Sequence, residues 1–330
     1  MRSVASGSFE RLSSVEALWE SWLKCRRGKQ RRPAIAAFDL NADKAVFALH
    51  RALRSGAYRP SPSHIRLVRD PKLRLVAAPA IRDRIVHTAL LNEIAPAYEQ
   101  GFIDQSYACG TGRGPHRAVL AYLQATRTFR YSLSLDIRRY FASIDHAILM
   151  ALFAHRLKDE KTLSLLGQTI QTGGQVYQTS FATLVLGGKP VPLNVGLPLG
   201  AHLSHWSGGL YLDGLDHFVK RILKCRCYQR YMDDFTLFHD DPEWLEKARD
   251  NIADWLLNER RLTLKDPNSP VLSTRQPKSY LGFRVSPAGL APGPKAKRRL
   301  KQRLKQGIDS TPGQLMRSVK SYRGLMLSIG

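Results

Sequence analysis

The sequence predicts an α+β fold, and three observations support that reading. Helical and strand patterns follow one another along 330 residues without βαβ regularity. A hydrophobic content of 43% is enough to build a substantial core. The stretch from Tyr228 to Phe238, YQRYMDDFTLF, has aromatic and β-branched flanks typical of strands, yet carries Asp233 and Asp234 at its centre.

The elements follow in order. A helix is expected from Ser13 to about Cys25, with Ser13 and Glu16 as a capping box and Val15, Leu18, Trp19, Trp22 and Leu23 at helical spacing. That apolar face reads as core, and it runs into a basic stretch, KCRRGKQRRP. A second helix spans Ala42–Arg54 and stops at Ser55-Gly56. The segment RPSPSHIRLVRDPKLRLVAAP reads as strand, turn, strand, with Asp70-Pro71 at the turn. Helix returns over Ile81–Tyr98. A strand over Tyr131–Leu135 ends at Asp136, and a helix over Asp145–Leu157 follows. Between Lys161 and Asp213 the only Lys, Arg, Asp or Glu is Lys189, which predicts a buried or tightly packed segment. It contains VGLPLGAHLSHW, and a helix then leads to the YMDD strands.

Charge narrows the function. There are 51 Lys+Arg against 27 Asp+Glu, a net charge of +24. Self-repulsion on that scale is tolerable when the partner is a polyanion. Near the C-terminal end, Lys295, Lys297, Arg298, Arg299, Lys301, Arg303 and Lys305 form a basic run. The four cysteines make no zinc-type array, since Cys225 and Cys227 are a lone C-x-C. MRSVASGSFERLSS has no apolar signal region, and no run of about 18 apolar residues occurs. A cytoplasmic protein with no membrane partner is expected.

Adjacent carboxylates need a reason. Two of them about 4 Å apart repel by roughly 4 kcal/mol at an effective dielectric near 20. At a hairpin turn both can face one volume, which strand alternation would otherwise forbid. A divalent cation reverses the sign: Mg²⁺ takes carboxylate oxygens together with substrate phosphates. Two ions about 3.5–4 Å apart can stabilise the attacking and leaving oxygens of phosphoryl transfer. Asp136, at the end of an apolar strand, is the candidate third carboxylate. Taken alone, Asp136 also reads as a helix N-cap before IRRYF, and Asp233-Asp234 as ordinary turn residues.

These residues together resemble a reverse transcriptase. YMDD is the polymerase tetrapeptide of that family. SLDIRRYFASIDH resembles its first carboxylate motif, LPLGAHLSHW its glycine motif, SYLGFRV its primer grip and RLVAAPAIRDRIVHTAL its fingers motif. The likeness covers nearly the whole chain, in the family's order. It is strongest to the bacterial enzymes of diversity-generating retroelements, related to group II intron reverse transcriptases. In that subgroup an aliphatic residue replaces glutamine before the motif glycine; here it is Leu199 before Gly200. LWESWLKCRRGKQRRP, QSYACGTGRGPHRA and the uncharged insert also resemble the subgroup.

The resemblance implies a right-hand polymerase with fingers, a palm of antiparallel sheet with helices on one face, and a short helical thumb. The expected divisions are residues 1–130 for N-terminal helices and fingers, 131–285 for the palm with its insert at about 162–194, and 286–330 for the basic thumb. It implies RNA-templated DNA synthesis, error-prone at template adenines. Two Mg²⁺ ions, with Mn²⁺ as an acceptable substitute, would be held by Asp136, Asp233 and the backbone carbonyl of Ile137, with Asp234 a weaker ligand. Lys72 and Arg74 would meet the triphosphate; as cations on a strand they also suit a solvated face. Phe141 matches the steric gate against a ribose 2′-OH, and equally suits an ordinary core. Leu199 and Gly200 would pack at the templating pair, and Leu281 and Gly282 would hold the primer end. Lys295, Lys297, Arg298, Arg299 and Lys301 would contact nucleic acid.

The implied partners are template RNA, the cDNA or primer strand, dNTPs and a small basic accessory protein oligomer. Departures are His205 for a common glutamine, Ala142 for a common proline, and Asn268 where a lysine often serves as general acid, with Lys265 nearby. Two rivals remain: a defence-associated or retron-type reverse transcriptase, and a non-catalytic basic RNA-binding protein. The presence of all three aspartates argues against the second.

Overall fold

A computed structural model describes residues 4, 6–69, 72–110 and 112–306. They pack into two units, each assembled from separate stretches of chain.

The first unit comprises Met1–Ile103, Ile137–Leu215 and Trp255–Thr263. Its N-terminal helices form around Leu18 and Trp22 of the Val15–Arg26 helix, Val46, Leu49 and Leu53 of the Ala42–Arg54 helix, and Ile85, Leu90 and Ile94 of the Ile81–Glu99 helix, all buried. The cap of the first of these is Ser14, not Ser13: Ser14 has extended backbone and its side chain accepts from Ala17 N–H. Ser13 is already the C-cap of the short Ser8–Leu12 helix and is buried, so it cannot open the next one.

Strands β1 (His64–Arg69) and β2 (Leu73–Ala78) pair antiparallel, as the strand-turn-strand pattern predicts. Their Asp70-Pro71 turn lies outside the described residues. Asp145 caps the His146–Arg156 helix by accepting from Ala147 and Ile148 N–H. The uncharged stretch is only partly buried. Leu166, Ile170, Val176 and Tyr177 are in the core, but Leu184 and Leu193 are 68% and 76% exposed. Lack of charge marked a segment without ion pairs, not one wholly inside.

The second unit comprises Asp104–Asp136, Asp216–Asp254 and Leu264–Gly330. Its main sheet holds β3 (Tyr131–Asp136), β4 (Cys227–Tyr231), β5 (Asp234–His239) and β6 (Val271–Ser273), in the order β4-β5-β3-β6, all antiparallel. A smaller antiparallel sheet holds β7 (Lys278–Tyr280), β8 (Phe283–Ser286) and β9 (Gly289–Pro292). The Pro115–Thr128 helix buries Ala118, Val119, Tyr122 and Ala125 in one cluster with Phe238, Tyr280, Phe283 and Val285. Tyr122 anchors it, stacked on Tyr280 at 4.4 Å and edge-on to Phe238 at 5.0 Å. The basic Pro294–Gln306 helix closes the described chain, and positions 307–330 of the expected thumb lie outside the described residues. No helix among the described residues is long and apolar enough to cross a membrane.

Candidate active site

The carboxylates lie where two strands meet. Along β3, Leu133 and Leu135 are buried on one face, so alternation sends Ser132, Ser134 and Asp136 to the other. On β5 the same parity gives Thr236 and Asp234. The register then sets Ser134 opposite Thr236 and Asp136 opposite Asp234. Asp136 ends its strand and caps no helix: the next helical turn begins at Tyr140 with Arg139 before it.

Asp233 is in the turn itself. Tyr231 pairs with Asp234, so Met232 and Asp233 form a two-residue hairpin loop. Met232 has φ +59, where a glycine is usual. A methionine held in that region stores backbone strain, a common property of functional turns. What over-determines the turn is Arg230. Its guanidinium is fully buried, donates to both oxygens of Asp216 at 2.7 and 2.5 Å, and donates to the Met232 carbonyl at 3.1 Å. Tyr228 donates to Asp216 as well, at 2.7 Å. The sequence reading passed over this pair, because a lone Arg in a strand beside YMDD gives no hint of an aspartate 14 residues earlier.

Two lysines balance the carboxylates. Lys265 N–H donates to the Asp136 carbonyl, and its ammonium pairs with the Asp136 side chain. That hydrogen bond raises the Lys265 pKa. Lys278, at the start of β7, donates to Ser134 Oγ at 2.5 Å, and Ser134 is 2.8 Å from Thr236 Oγ1. Burial lowers the Lys278 pKa, while the charge of Asp234 opposes that. Asp234 opens to solvent on one side and is crowded by protein on the other. That crowding, then the charge of Asp136, lifts its carboxyl above its ordinary value; Lys265 and Lys278 pull it back. Lys278 was not singled out from sequence. Its one signal is a charge just before the apolar motif SYLGFRV, and its partner Ser134 is 144 positions away.

The donors available here are carboxylate oxygens, with no thiolate or imidazole among Asp136, Asp233 and Asp234, which suits a hard cation. Lys265 already supplies a positive charge at Asp136, the place a cation would take. Among the described residues no three His, Cys, Asp or Glu side chains are gathered closely enough to hold a metal. Mg²⁺ does not need such a cage, since it uses one or two carboxylates with waters and substrate phosphates.

Leu281 and Gly282, expected from the sequence to hold the primer end, form the β7–β8 turn. Tyr280 pairs with Phe283, and Leu281 and Gly282 between them have φ +46 and +90, a type I′ pattern. A side chain on Gly282 would meet nothing within 4 Å, so its surroundings are open. Lys295, Lys297, Arg298, Arg299 and Lys301 are all exposed on the Pro294–Gln306 helix.

The remaining predicted residues belong to the first unit. Ile137, next in the chain after Asp136, is buried there. Lys72 and Arg74 are exposed, and Arg74 shares a face of β2 with Val76. Gly200, at φ +114, packs on that strand: a Cβ there would come within 2.8 Å of Val76 and 2.9 Å of the Ala77 carbonyl, so only glycine fits. The Leu199 carbonyl accepts from Ala77 N–H at 2.8 Å. Leu199 and Gly200 thus pack at the Val76–Ala77 end of the strand that also carries Arg74. Phe141 is half-buried, with its ring edge-on to His205 at 5.2 Å and near Gly208 of the His202–Tyr211 helix.

The family description "Reverse transcriptase (RNA-dependent DNA polymerase)" matches residues 68–285, more than half of the chain. The chain belongs to the reverse transcriptase family. The α+β right-hand fold expected from the sequence is that family's fold. Among curated relatives, this reverse transcriptase is 35% identical over 134 residues to Protein YkfC of Escherichia coli strain K12, covering 38% of this chain and 35% of that one. Group II intron-encoded protein LtrA of Lactococcus lactis subsp. cremoris is 24% identical over 187 residues, 55% of this chain and 29% of that protein. Nuclear intron maturase 1, mitochondrial, of Arabidopsis thaliana is 23% identical over 194 residues, 51% and 27% respectively. The chain therefore spans about a third of the length of the curated relatives it matches. A solved apo telomerase from Candida tropicalis aligns with a TM-score of 0.49 at 11% identity, over 71% of this chain and 49% of that one.

Proposed function

We propose that this chain is an RNA-directed DNA polymerase, adding dNMP to a primer 3′-OH along an RNA template and releasing pyrophosphate. The observation that carries the reading is Asp136 opposite Asp234 in register, with Asp233 in the turn between the strands. Three acids at one sheet end repel; Lys265 and Lys278 offset part of that, and a bound cation would offset more. Asp136, Asp233 and the Ile137 carbonyl would hold two Mg²⁺ ions, Mn²⁺ substituting, with Asp234 weaker. Bound there, the ions would neutralise phosphate charge and favour ionisation of the primer hydroxyl.

The chain's own residues do the rest. Lys265 covers the charge of Asp136, and Asn268 leaves it as the ammonium nearest the carboxylates along that segment. Lys72 and Arg74 meet the triphosphate. Leu281 and Gly282 hold the primer end through their backbone, and the cations of the Pro294–Gln306 helix bind the strand phosphates. Fingers, palm and thumb correspond to 1–130, 131–285 and 286–330. The direct test is extension of a labelled primer on an RNA template with dNTPs and Mg²⁺. An active Asp-to-Asn variant would remove that aspartate from the metal site, and an inactive wild type would return the chain to a non-catalytic RNA-binding role.

Phe141 is the sugar gate. Phe141→Val should admit ribonucleotides in primer extension, because the smaller side chain opens room for a 2′-OH. Unchanged discrimination between dNTP and rNTP would leave it a packing residue beside His205.

The finer reading is a diversity-generating retroelement enzyme, supported by Leu199 before Gly200. A small basic accessory protein oligomer is the further partner it brings. Leucine has about the bulk of glutamine but no donor or acceptor. A net hydrogen bond is worth about 0.5–1.5 kcal/mol, roughly a two- to tenfold effect on rate. Misincorporation opposite template adenine is the expected consequence, and Leu199→Gln should reduce it by a factor in that range. Sequencing products copied from one defined RNA by both forms checks this. Equal adenine error rates would take Leu199 out of the mechanism. A wild type accurate at adenine would favour the intron-encoded or retron-type alternative, which the names of the LtrA and maturase relatives also suggest.

A further inference from the structure

The basic stretch from Lys24 to Arg32 has no part in the chemistry above, yet the fold builds it into a cavity of about 670 Å³. Its walls are the end of the Val15–Arg26 helix and the turn after it, one side of the Ile81–Glu99 helix, and Gly200, Ala201 and His202. Four cations line it, Lys24, Lys29, Arg32 and Arg84, and no carboxylate does. Two are fixed by neutral groups: Lys24 donates to Asn92 Oδ1 at 2.8 Å, and Arg84 Nε donates to the Pro79 carbonyl at 2.7 Å. Lys29 and Arg32 are exposed, and among the described residues neither has an ion pair. Four like charges around one concavity repel, and nothing in the lining offsets them.

Two further features favour an anion. The His202–Tyr211 helix begins at the rim with Ala201 as its N-cap and no side chain closing its first N–H groups. Such an end attracts negative charge. His87 also lines the cavity, is about nine-tenths buried, and its ring makes no hydrogen bond among the described residues. Burial lowers its pKa to about 4, so the ring is neutral and keeps one donor and one acceptor for a ligand.

Size and lining narrow the class. The volume is that of a small-molecule pocket, too small for a duplex. No Phe, Tyr or Trp lines it, so bases find no stacking platform there. We infer that the cavity seats phosphodiesters of a nucleic-acid single strand, with Lys29 and Arg32 reaching the phosphates. It rests on the polymerase reading and adds a second strand contact to that of the Pro294–Gln306 helix.

The test is the salt dependence of binding to a short oligouridylate, read by fluorescence anisotropy. Wild type is compared with the Lys29→Ala, Arg32→Ala double variant and with the charge-conserving Lys29→Arg, Arg32→Lys pair. Each single-strand phosphate contact contributes about 0.7 to the slope of log affinity against log salt, so the alanine pair should flatten it by about 1.4. The charge-conserving pair should keep the wild-type slope. An unchanged slope in the alanine pair overturns the site. So does an unchanged slope accompanied by a raised KM for dNTP, which would give the cavity to free nucleotide. Primer extension by the wild type is scored separately: a protein with the expected slope change and no incorporation loses the polymerase reading and keeps the phosphate site.

Discussion

Asp233→Asn should abolish dNTP incorporation while RNA affinity stays at the wild-type level or rises slightly. The side chain sits in a two-residue turn, where asparagine is as well tolerated as aspartate, so the fold should survive the change. What is lost is one negative charge at the place where a cation would be held. Removing a single preorganised electrostatic group from an active site costs on the order of a hundred- to a thousandfold in rate, and a metal ligand belongs at the upper end. RNA affinity should not fall, because the substitution removes repulsion from the strand. Primer extension and RNA binding measured on one preparation separate the two effects. Extension within a few-fold of wild type would falsify the metal assignment, and a parallel loss of RNA binding would make the defect one of folding.

Arg230→Met should be the most destabilising single change of those considered. Methionine fills much of the space but leaves the fully buried Asp216 carboxylate without its cation, still accepting from the Tyr228 hydroxyl. Breaking a buried ion pair in this way costs about 3–5 kcal/mol. That is a large part of the 5–15 kcal/mol typical of a folded domain. Pairing it with Asp216→Asn should recover part of the loss, since the stranded charge is then gone. The urea midpoints of wild type, both single variants and the double variant measure the coupling. Additive losses would mean that the pair is not closed in solution. Because Arg230 also holds the Met232 carbonyl, the rescued double variant should regain stability without regaining full polymerase activity. Stability and turn geometry are thereby read apart.

Local patterning made much of the second unit's frame legible. The alternation in YSLSLD separates a leucine face from a serine-aspartate face, and YQRYMDDFTLF encodes two strands around a turn. Period-two burial and hairpin chemistry act over a few residues, which is why Asp136, Asp233 and Asp234 could be named before any fold was known. Gly200 and Gly282 were legible only through the likeness of LPLGAHLSHW and SYLGFRV to the family's motifs. Capping was less so: Ser13 and Ser14 both satisfy the local rule, and only the preceding Ser8–Leu12 helix decides between them.

What the chain alone determined is its charge, its order of strands and helices, and the three acids on which the proposed chemistry rests. Tertiary structure decided what stands against those acids. Lys265 reaches Asp136 across 129 positions, and Lys278 reaches Ser134 across 144. Arg230 needs Asp216 from a separate helix, and the basic stretch becomes a cavity wall only beside Arg84 and Gly200. Such pairings leave no periodic trace. They are set by side-chain packing between distant segments, and burial makes the charges of Arg230 and Lys278 costly enough to require a partner.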